Sequence, residues 1–423
     1  MADHEVREGS REATRREFIR SVGAAAAGVA AGWQAARPAW AQTTSANERL
    51  GVGLIGCGGR MGAHMDVLLG LKGEGWPLDI VAVADVYTPR IEAAVQRTGG
   101  KAYRDHRELL ADPNVDLVAI ASPDRHHGPQ AIDAVLAGKD AYVEKPLVHW
   151  QQFDVVKRLC HLVEDQGQIL QAGTQRVGHS IWHQARQLIA EGAIGKPIHA
   201  QCGYFRQGDW GERGMPILDP NAQPGPDLNW EAFLGDAPQR PFDVSRFFRW
   251  RMYLDYAGGP PTDLYPHFLT PMAVALGIGF PTRVCGAGGK LFYNHEREVP
   301  DTVNILADYP EGLTMSLLGT QVNAREVETC IRGAEATIVF EGPGLRIYPA
   351  DGNTQPKQEV AAERPGDCRE LWINFLECVK SREKPWSDVR TQYYVQTALN
   401  MGMLSMLEGK TAHFDAEDER IRM

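Results

Sequence analysis

The sequence has few of the features that mark a disulfide-stabilised or zinc-binding protein. Its 423 residues include seven cysteines, which are scattered, odd in number and without a C-x-x-C pair. We therefore expect neither a disulfide framework nor a structural zinc site. His179 and His183 lie four residues apart, but no glutamate follows His179 to complete an H-E-x-x-H motif. The sequence thus predicts no metal.

An excess of basic side chains is also missing. Lys and Arg number 44 against 54 Asp and Glu, and the formal net charge is -10. Such a surface repels nucleic acid and anionic lipid, so we expect no nucleic-acid partner. The chain also has no G-x-S-x-G motif, which excludes the usual nucleophile elbow of a serine hydrolase.

The first forty residues carry the features of an export signal. The pair Arg15-Arg16 precedes a small apolar run over residues 21–36 and an A-x-A cleavage pattern at residues 39–41. This looks like a twin-arginine signal peptide, residues 1–41, which the twin-arginine export machinery would recognise. Its apolar run is short and rich in alanine and glycine, so a permanent membrane span is not expected. We expect a periplasmic or secreted protein that folds before export.

The remainder of the chain divides into two predicted domains, residues 42–165 and 166–423. Over residues 49–147, apolar runs alternate with helical stretches, which predicts an α/β domain with a doubly wound parallel sheet. After residue 197, apolar runs follow one another through short turns, which predicts an α+β domain with a mainly antiparallel open sheet. A stretch over residues 208–261 has no clean period, and we predict an ordered insertion near the functional site.

A glycine-rich turn follows the first predicted strand and precedes a helix. This is the context of a Rossmann phosphate loop, in which glycine lets the backbone approach a pyrophosphate at the helix N-terminus. The third glycine of the motif falls one place late, at Gly62, with Met61 in its usual position. The predicted dinucleotide contacts in this turn are Gly56, Gly58, Gly59, Arg60 and Met61.

An aspartate ends the second predicted strand. Asp85 follows the run IVAVA, where a carboxylate accepts hydrogen bonds from ribose hydroxyls and repels a 2'-phosphate. We therefore predict NAD as the cofactor, although Arg90 leaves NADP open.

More specific motifs follow the next strands. Residues 121–127 (ASPDRHH), 142–147 (YVEKPL) and 262–267 (TDLYPH) resemble motifs of the glucose-fructose oxidoreductase, inositol dehydrogenase and rhizopine-catabolism (Gfo/Idh/MocA) family. The likeness covers essentially the whole chain after the signal. It implies further cofactor contacts from Ser122, Pro123, His126, Glu144 and Lys145, and a homo-oligomer, dimer or tetramer, built through the open sheet.

The same resemblance implies that Lys145 lies beside the nicotinamide and that Asp263 and His267 complete the catalytic group. Lys145 precedes a proline, so it is held extended at the end of a strand, where ligands of open α/β sheets bind. Asp263 and His267 lie four residues apart and share a face if one helix carries both. A histidine suits the removal of a hydroxyl proton while hydride leaves the carbon.

Three further residues are candidate substrate contacts: Arg176, Tyr265 and Arg251. Arg176 follows a strand predicted to end above the nicotinamide, and a structural ion pair would explain it equally well. Arg251 ends the run RFFRWR over residues 246–251, whose rings and guanidinium groups suit the faces and hydroxyls of a sugar. A subunit interface is the alternative for this run.

These observations predict an NAD(P)-dependent oxidoreductase that acts on a sugar or polyol hydroxyl by hydride transfer. We expect a tightly bound cofactor, because the periplasm is not expected to supply free NAD. The first alternative is an NAD-dependent glycoside hydrolase that works by transient oxidation and elimination. The second is a non-catalytic sugar-binding protein, against which the joint presence of Lys145, Asp263 and His267 argues.

Overall fold

The computed structural model describes residues 49–208, 215–293 and 295–423, which belong to one compact unit, Ser45–Met423. The export signal predicted for residues 1–41 lies outside the described residues. Within these ranges, no helix combines the length and apolar character needed to cross a membrane.

Six parallel strands form the first sheet. They are β1 (Leu50–Ile55), β2 (Leu78–Ala84), β3 (Lys101–Tyr103), β4 (Leu117–Ile120), β5 (Asp140–Glu144) and β6 (Leu170–Gly173). Their order is β3-β2-β1-β4-β5-β6, and every pairing is parallel. This is the Rossmann order, in which ligands bind where the order reverses, between β1 and β4. The sixth strand follows residue 165, so the sheet extends past that position.

Helices cover both faces of this sheet, which is why β4 and β5 are buried along their whole length. The helices are α1 (Gly59–Gly73), α2 (Thr88–Thr98), α3 (His106–Leu110), α4 (Asp124–Leu136) and α5 (Phe153–Gln166). Helix α4 begins at Asp124, inside the motif over residues 121–127. Pro129 lies inside this helix and has no N–H for the Arg125 carbonyl. Gln152 Nε2 donates to that carbonyl instead, at 3.0 Å, and this long-range hydrogen bond supports the first turn of α4.

Ten strands form the second sheet. They are β7 (Pro197–Phe205), β8 (Arg283–Gly289), β9 (Thr302–Tyr309), β10 (Leu313–Thr320), β11 (Cys330–Gly333), β12 (Ala336–Glu341), β13 (Gly344–Pro349), β14 (Gln358–Ala361), β15 (Ala412–Asp415) and β16 (Arg420–Arg422). The order is β14-β13-β12-β11-β7-β10-β9-β8-β15-β16. Strands β7 and β10 pair in parallel, and the other pairs of neighbouring strands in this sheet are antiparallel. The predicted fold class, a Rossmann sheet plus a mainly antiparallel sheet, is confirmed.

One face of the second sheet is covered and the other is open. Burial alternates along β9 and β10, so every second side chain enters the core. Leu306 on β9 points to the open face and is 54% exposed. The remaining helices are α6 (Ser180–Ala190), α7 (Trp230–Leu234), α8 (Val244–Phe248), α9 (Pro260–Asp263), α10 (Pro266–Leu276), α11 (Cys368–Ser381) and α12 (Val389–Glu408).

The predicted insertion over residues 208–261, described from residue 215 onward, has an aromatic core of its own. The rings of Phe233, Phe247 and Tyr256 are almost fully buried in it. Its backbone docks on the loop after β2: the amide of Asn229 donates to the Val86 carbonyl, and Asp227 accepts from an amide of that loop, both at 2.9 Å. The insertion therefore lies against the carboxyl end of the Rossmann sheet.

Candidate active site

A cleft of about 1150 Å³ runs along the carboxyl ends of β1, β2 and β4. One wall carries the glycine turn, and the opposite wall comes from the insertion, including Met215, Trp250 and Arg251. Pockets for drug-sized ligands span roughly 300–1000 Å³. The cleft is therefore large enough for a ligand of dinucleotide size.

The glycine turn has the geometry that a pyrophosphate site needs. Gly56 has a φ of 81°, and a Cβ on it would lie 2.6 Å from the amide nitrogen of Ser122. Gly58 and Gly59, at the start of α1, line the cleft, and Cβ atoms there would meet nothing within 4 Å. The open N-terminus of a 15-residue helix thus faces the cleft, where it favours an anionic group. These residues fit a bound dinucleotide.

Asp85 lines the same cleft and fixes the glycine turn. Its two carboxylate oxygens accept from the amides of Cys57 at 2.7 Å and Tyr87 at 3.0 Å. Burial raises the pKa of Asp85. Each oxygen keeps a second lone pair for a ribose hydroxyl. Arg90 is the residue for which the sequence left NADP as an alternative cofactor. It packs against the insertion, with its guanidinium carbon 5.1 Å from the ring centre of Phe247.

Two predicted cofactor contacts, Met61 and Glu144, have side chains that do not line the cleft. The Met61 side chain is fully buried in the core. Glu144 is 3% exposed, and its Oε1 accepts from Arg60 Nε at 2.8 Å and Gln175 Nε2 at 3.0 Å. Burial alone would raise the pKa of Glu144, but the Arg60 guanidinium and the His64 hydrogen bond hold it well below its usual range. Glu144 therefore anchors Arg60, which lines the cleft.

Three predicted contacts in the segment that follows β4 line the cleft: Ser122, Pro123 and His126. Pro123 precedes α4, and Ser122 Oγ donates to Gln130 Oε1 at 2.6 Å. His126 Nε2 lies 2.7 Å from the Phe233 carbonyl, so the proton sits on Nε2 and is donated to the insertion. Burial lowers the pKa of His126, which keeps it in this neutral form.

The structure brings Lys145 and Asp263 into direct contact. Lys145 Nζ donates to Asp263 Oδ1 at 2.9 Å and to the Asp263 carbonyl at 2.7 Å. Lys145 is joined to Pro146 by a cis peptide bond. Asp263 also faces Arg206, at 3.0 Å, and Arg251, at 3.4 Å. Burial would raise the pKa of Asp263, but these three cations hold it far below its usual range.

Asp263 and His267 belong to two helices, so the prediction of one shared helix is wrong. Helix α9 ends at Asp263 and α10 begins at Pro266. Pro266 has no N–H for the Thr262 carbonyl, and the helical hydrogen-bond pattern is interrupted there. His267 is half-buried. Burial, with the charge of Lys145, lowers its pKa to about 3, so its imidazole is neutral at physiological pH.

The three predicted substrate contacts have different surroundings. Tyr265 is fully buried and its hydroxyl donates to the Val303 carbonyl, so it is wrong as a substrate contact. Arg176 is exposed, with its guanidinium carbon 4.0 Å from the ring centre of Phe268, and it has no ion pair among the described residues. Arg251 lines the cleft and stacks on the Trp250 ring at 4.4 Å.

The aromatic rings of the run over residues 246–251 serve the insertion itself. Phe247 and Phe248 are at most 2% exposed and Trp250 is 8% exposed, all within the insertion core. Neither a broad sugar-stacking surface nor an exposed subunit interface is therefore built from these rings. Arg251 remains available because it follows the core residues and faces the cleft.

Sequence reasoning missed two charged residues of the site. Asp124, in the first turn of α4, is 2% exposed, and burial raises its pKa to about 7 against the opposing charges of Arg251 and Lys145. Its position inside the motif over residues 121–127 could have identified it from the sequence. Arg206 directly follows β7, and a charged residue after a half-buried strand was the available signal.

The two histidines weighed as a metal pair make local contacts instead. His183 Nε2 lies 2.8 Å from the Val177 carbonyl, and His179 Nδ1 accepts from the Ile181 amide at 3.4 Å. In the described part of the chain, no group of three or more His, Cys, Asp and Glu side chains has the arrangement of a metal site.

Two protein-family models match the chain. One, described as "Oxidoreductase family, NAD-binding Rossmann fold", matches residues 50–174. The other, described as "Oxidoreductase family, C-terminal alpha/beta domain", matches residues 179–422. The first match covers the glycine turn and Asp85, and it confirms the predicted NAD cofactor.

Individual relatives include proteins of two reaction classes. Inositol 2-dehydrogenase of Rubrobacter xylanophilus is 30% identical over 164 residues, 38% of this chain and 46% of that protein. Glycosyl hydrolase family 109 protein 1 of Shewanella sp. strain ANA-3 is 26% identical over 231 residues, 46% of this chain and 47% of that protein. The chain thus spans less than half the length of either curated relative in these matches.

A solved structure shares the fold across almost its whole length. The WlbA dehydrogenase from Bordetella pertussis, in complex with NADH and UDP-GlcNAcA, superposes with a TM-score of 0.64 at 17% identity. The match covers 87% of this chain and 99% of that chain. Because the two family models together account for most of the sequence, the protein belongs to the Gfo/Idh/MocA oxidoreductase family.

Proposed function

We propose that this protein is an NAD-dependent oxidoreductase that oxidises a hydroxyl-bearing carbon of a sugar or polyol. The observation that carries the proposal is the contact between Lys145 and Asp263, with neutral His267 nearby, at the carboxyl end of the Rossmann sheet. Bound NAD supplies a hydride acceptor to such a site. A charged ammonium and a neutral imidazole are the two groups that alcohol oxidation requires from the protein.

The roles of these side chains follow from their charges. Asp263 accepts hydrogen bonds from Lys145 at 2.9 Å and from Arg206 at 3.0 Å, and it holds the Lys145 side chain in place. The Lys145 ammonium stabilises negative charge as it develops on the substrate oxygen. His267 accepts the hydroxyl proton. Its low pKa makes it a weak base, so the nearby ammonium is needed to acidify the hydroxyl.

Retention of the cofactor is supported by the way the insertion closes the cleft. Arg125 Nε donates to Asp236 at 2.7 Å, and His126 donates to the Phe233 carbonyl at 2.7 Å. Together with the backbone contacts of the loop after β2, these bonds hold the insertion across the wall opposite the glycine turn. Release of a dinucleotide would require several of them to break. We therefore propose a tightly held cofactor, loaded before export by the twin-arginine pathway to the periplasm.

The family 109 relative favours a second candidate function, an NAD-dependent glycoside hydrolase. In that reaction a transient ketone acidifies the neighbouring C–H, the glycosidic substituent is eliminated to leave an enone, water adds to the enone, and the ketone is reduced again. Lys145 and His267 would serve the oxidation step in the same way. The two candidates differ in net redox change, since the hydrolase consumes no electron acceptor.

The test starts with protein purified from the exported fraction. The denatured supernatant is assayed by mass spectrometry, and we expect NAD in near-stoichiometric amount. Sugars and polyols are then added to the holoprotein, and reduction of bound NAD is followed at 340 nm. Lys145→Met should lower the rate at least ~100-fold. Protein without nucleotide that also fails to bind added NAD or NADP would contradict both candidates.

A further inference from the structure

A small cavity beside the Lys145–Asp263 contact is rich in guanidinium groups. Three arginines line it together with one carboxylate and one amide: Arg206, Arg251, Arg297, Asp263 and Gln321. Arg297 is almost fully buried and donates to the Val299 and Pro300 carbonyls. Arg206 and Arg297 have further polar partners. The guanidinium that faces both this cavity and the large cleft is Arg251.

Arg251 packs against an aromatic ring while most of its donors stay available. Its guanidinium carbon lies 4.4 Å from the centre of the Trp250 ring, which restricts its position. Its Nε is 3.4 Å from Asp263, and Nη1 is 3.4 Å from the sulfur of Met215, a weak acceptor. Among the described residues, no contact occupies its Nη2. A planar fork with free N–H groups matches the two oxygens of a carboxylate.

The charge around Arg251 also favours an anion. Asp263 is shared by Lys145, Arg206 and Arg251, so one carboxylate faces three cations. The second carboxyl group nearby, Asp124, is buried and is only partly ionised at neutral pH, because burial raises its pKa to about 7. A neutral sugar would leave this excess of positive charge uncompensated.

We propose that the substrate is a sugar acid, in which a carboxylate binds the Arg251 guanidinium and a hydroxyl on the same molecule faces Lys145. The proposal rests on the oxidoreductase function and names its substrate class. The small cavity has room for about one water, so the carboxylate binds the edge of Arg251 that faces the large cleft. Arg251 is thereby the residue that sets specificity between acidic and neutral sugars.

The test is calorimetric titration of the holoprotein with matched pairs that differ in one group. The pairs are D-gluconate with D-sorbitol, D-glucuronate with D-glucose and D-galacturonate with D-galactose, with glucose 6-phosphate added as a further anion. We expect at least one acid to bind at least tenfold more tightly than its neutral partner. Arg251→Gln should abolish this preference, and Arg325→Gln, which removes an exposed charge outside both cavities, should retain it.

Three outcomes would overturn the proposal: equal binding of every pair, a preference that survives Arg251→Gln, or tighter binding of the phosphate than of every carboxylate. The last would assign the Arg251 side of the cleft to phosphate recognition. Failure of the oxidoreductase function looks different. In that case an acid binds with the expected preference, yet the bound NAD shows no change at 340 nm.

Discussion

At the scale of single residues, the site is organised by carboxyl groups with opposite behaviour. Asp263 and Glu144 are buried beside cations, which keep their pKa values well below the usual range. Asp124 is buried to a similar degree, but burial outweighs the nearby cations and its pKa rises to about 7. When the pKa values of two carboxyl groups are separated in this way, the ionised group can stabilise charge while the other can exchange protons.

The raised pKa of Asp124 predicts a pH-dependent stability. Between the ordinary pKa of an aspartate and pH 7, the folded protein binds more protons than the unfolded chain. The free energy of unfolding therefore falls as the pH rises. The Asp124→Asn variant has no carboxyl group to titrate at this position, so it lacks this pH dependence of stability. We expect wild type to lose roughly 4 kcal/mol relative to the variant between pH 4 and pH 8, measured by chemical denaturation. A difference that stays constant with pH would contradict the burial of an ionisable carboxyl group.

The depressed pKa of His267 makes a second prediction. Because burial lowers this pKa to about 3, the imidazole stays neutral from pH 8 down to pH 5. His267→Gln should lower kcat at least ~100-fold across this whole range, with no change in the shape of the pH profile. A wild-type profile with an acid limb near pH 6.5 that disappears in the variant would assign His267 an ordinary pKa.

At the scale of elements, motifs predicted which residues approach the site but not which way their side chains point. The motif over residues 142–147 brought Glu144 and Lys145 to the end of β5, and successive strand residues face opposite sides. Lys145 therefore reaches Asp263 while Glu144 turns to Arg60. Tyr265 shows the same limit, since its neighbours in the motif face the site and its own ring enters the core.

The insertion makes a testable prediction about cofactor retention. Asp236→Ala removes the ion pair with Arg125 and the contact with Gln152, two of the bonds that hold the insertion to α4 and α5. We expect the purified variant to contain less NAD and to release the remainder at least ~10-fold faster on dilution. Nucleotide content by mass spectrometry checks this, with Glu359→Ala on exposed β14 as the matched control. Equal retention in both variants would show that the insertion does not limit release.

At the scale of the whole molecule, the order of apolar runs was enough to predict both sheets. Alternating strand and helix periods predicted the parallel sheet, and consecutive strands predicted the antiparallel one. The short helices of the predicted insertion could not be derived, because they depend on an aromatic core assembled from residues far apart, including Tyr87 and Val299. Contacts of this kind leave no period in the sequence.

The open face of the second sheet leads to the prediction about assembly. If a homo-oligomer forms through this face, exposed Leu306 lies in the interface. Leu306→Glu should then reduce the molar mass measured by light scattering from that of a dimer or tetramer to that of a monomer. Gln96→Glu, which adds the same charge on the exposed side of α2 in the Rossmann domain, should leave the mass unchanged. A variant Leu306→Glu that keeps the wild-type mass would place the interface elsewhere.

The docking of the insertion on the loop after β2 has a consequence for the lifetime of the enzyme. If the cofactor is held as proposed, exchange is slow and each molecule works mainly with the nucleotide it received during folding. Chemical damage to that nucleotide would then inactivate the molecule for as long as the exchange takes. The number of turnovers per molecule would be set by the lifetime of one nucleotide.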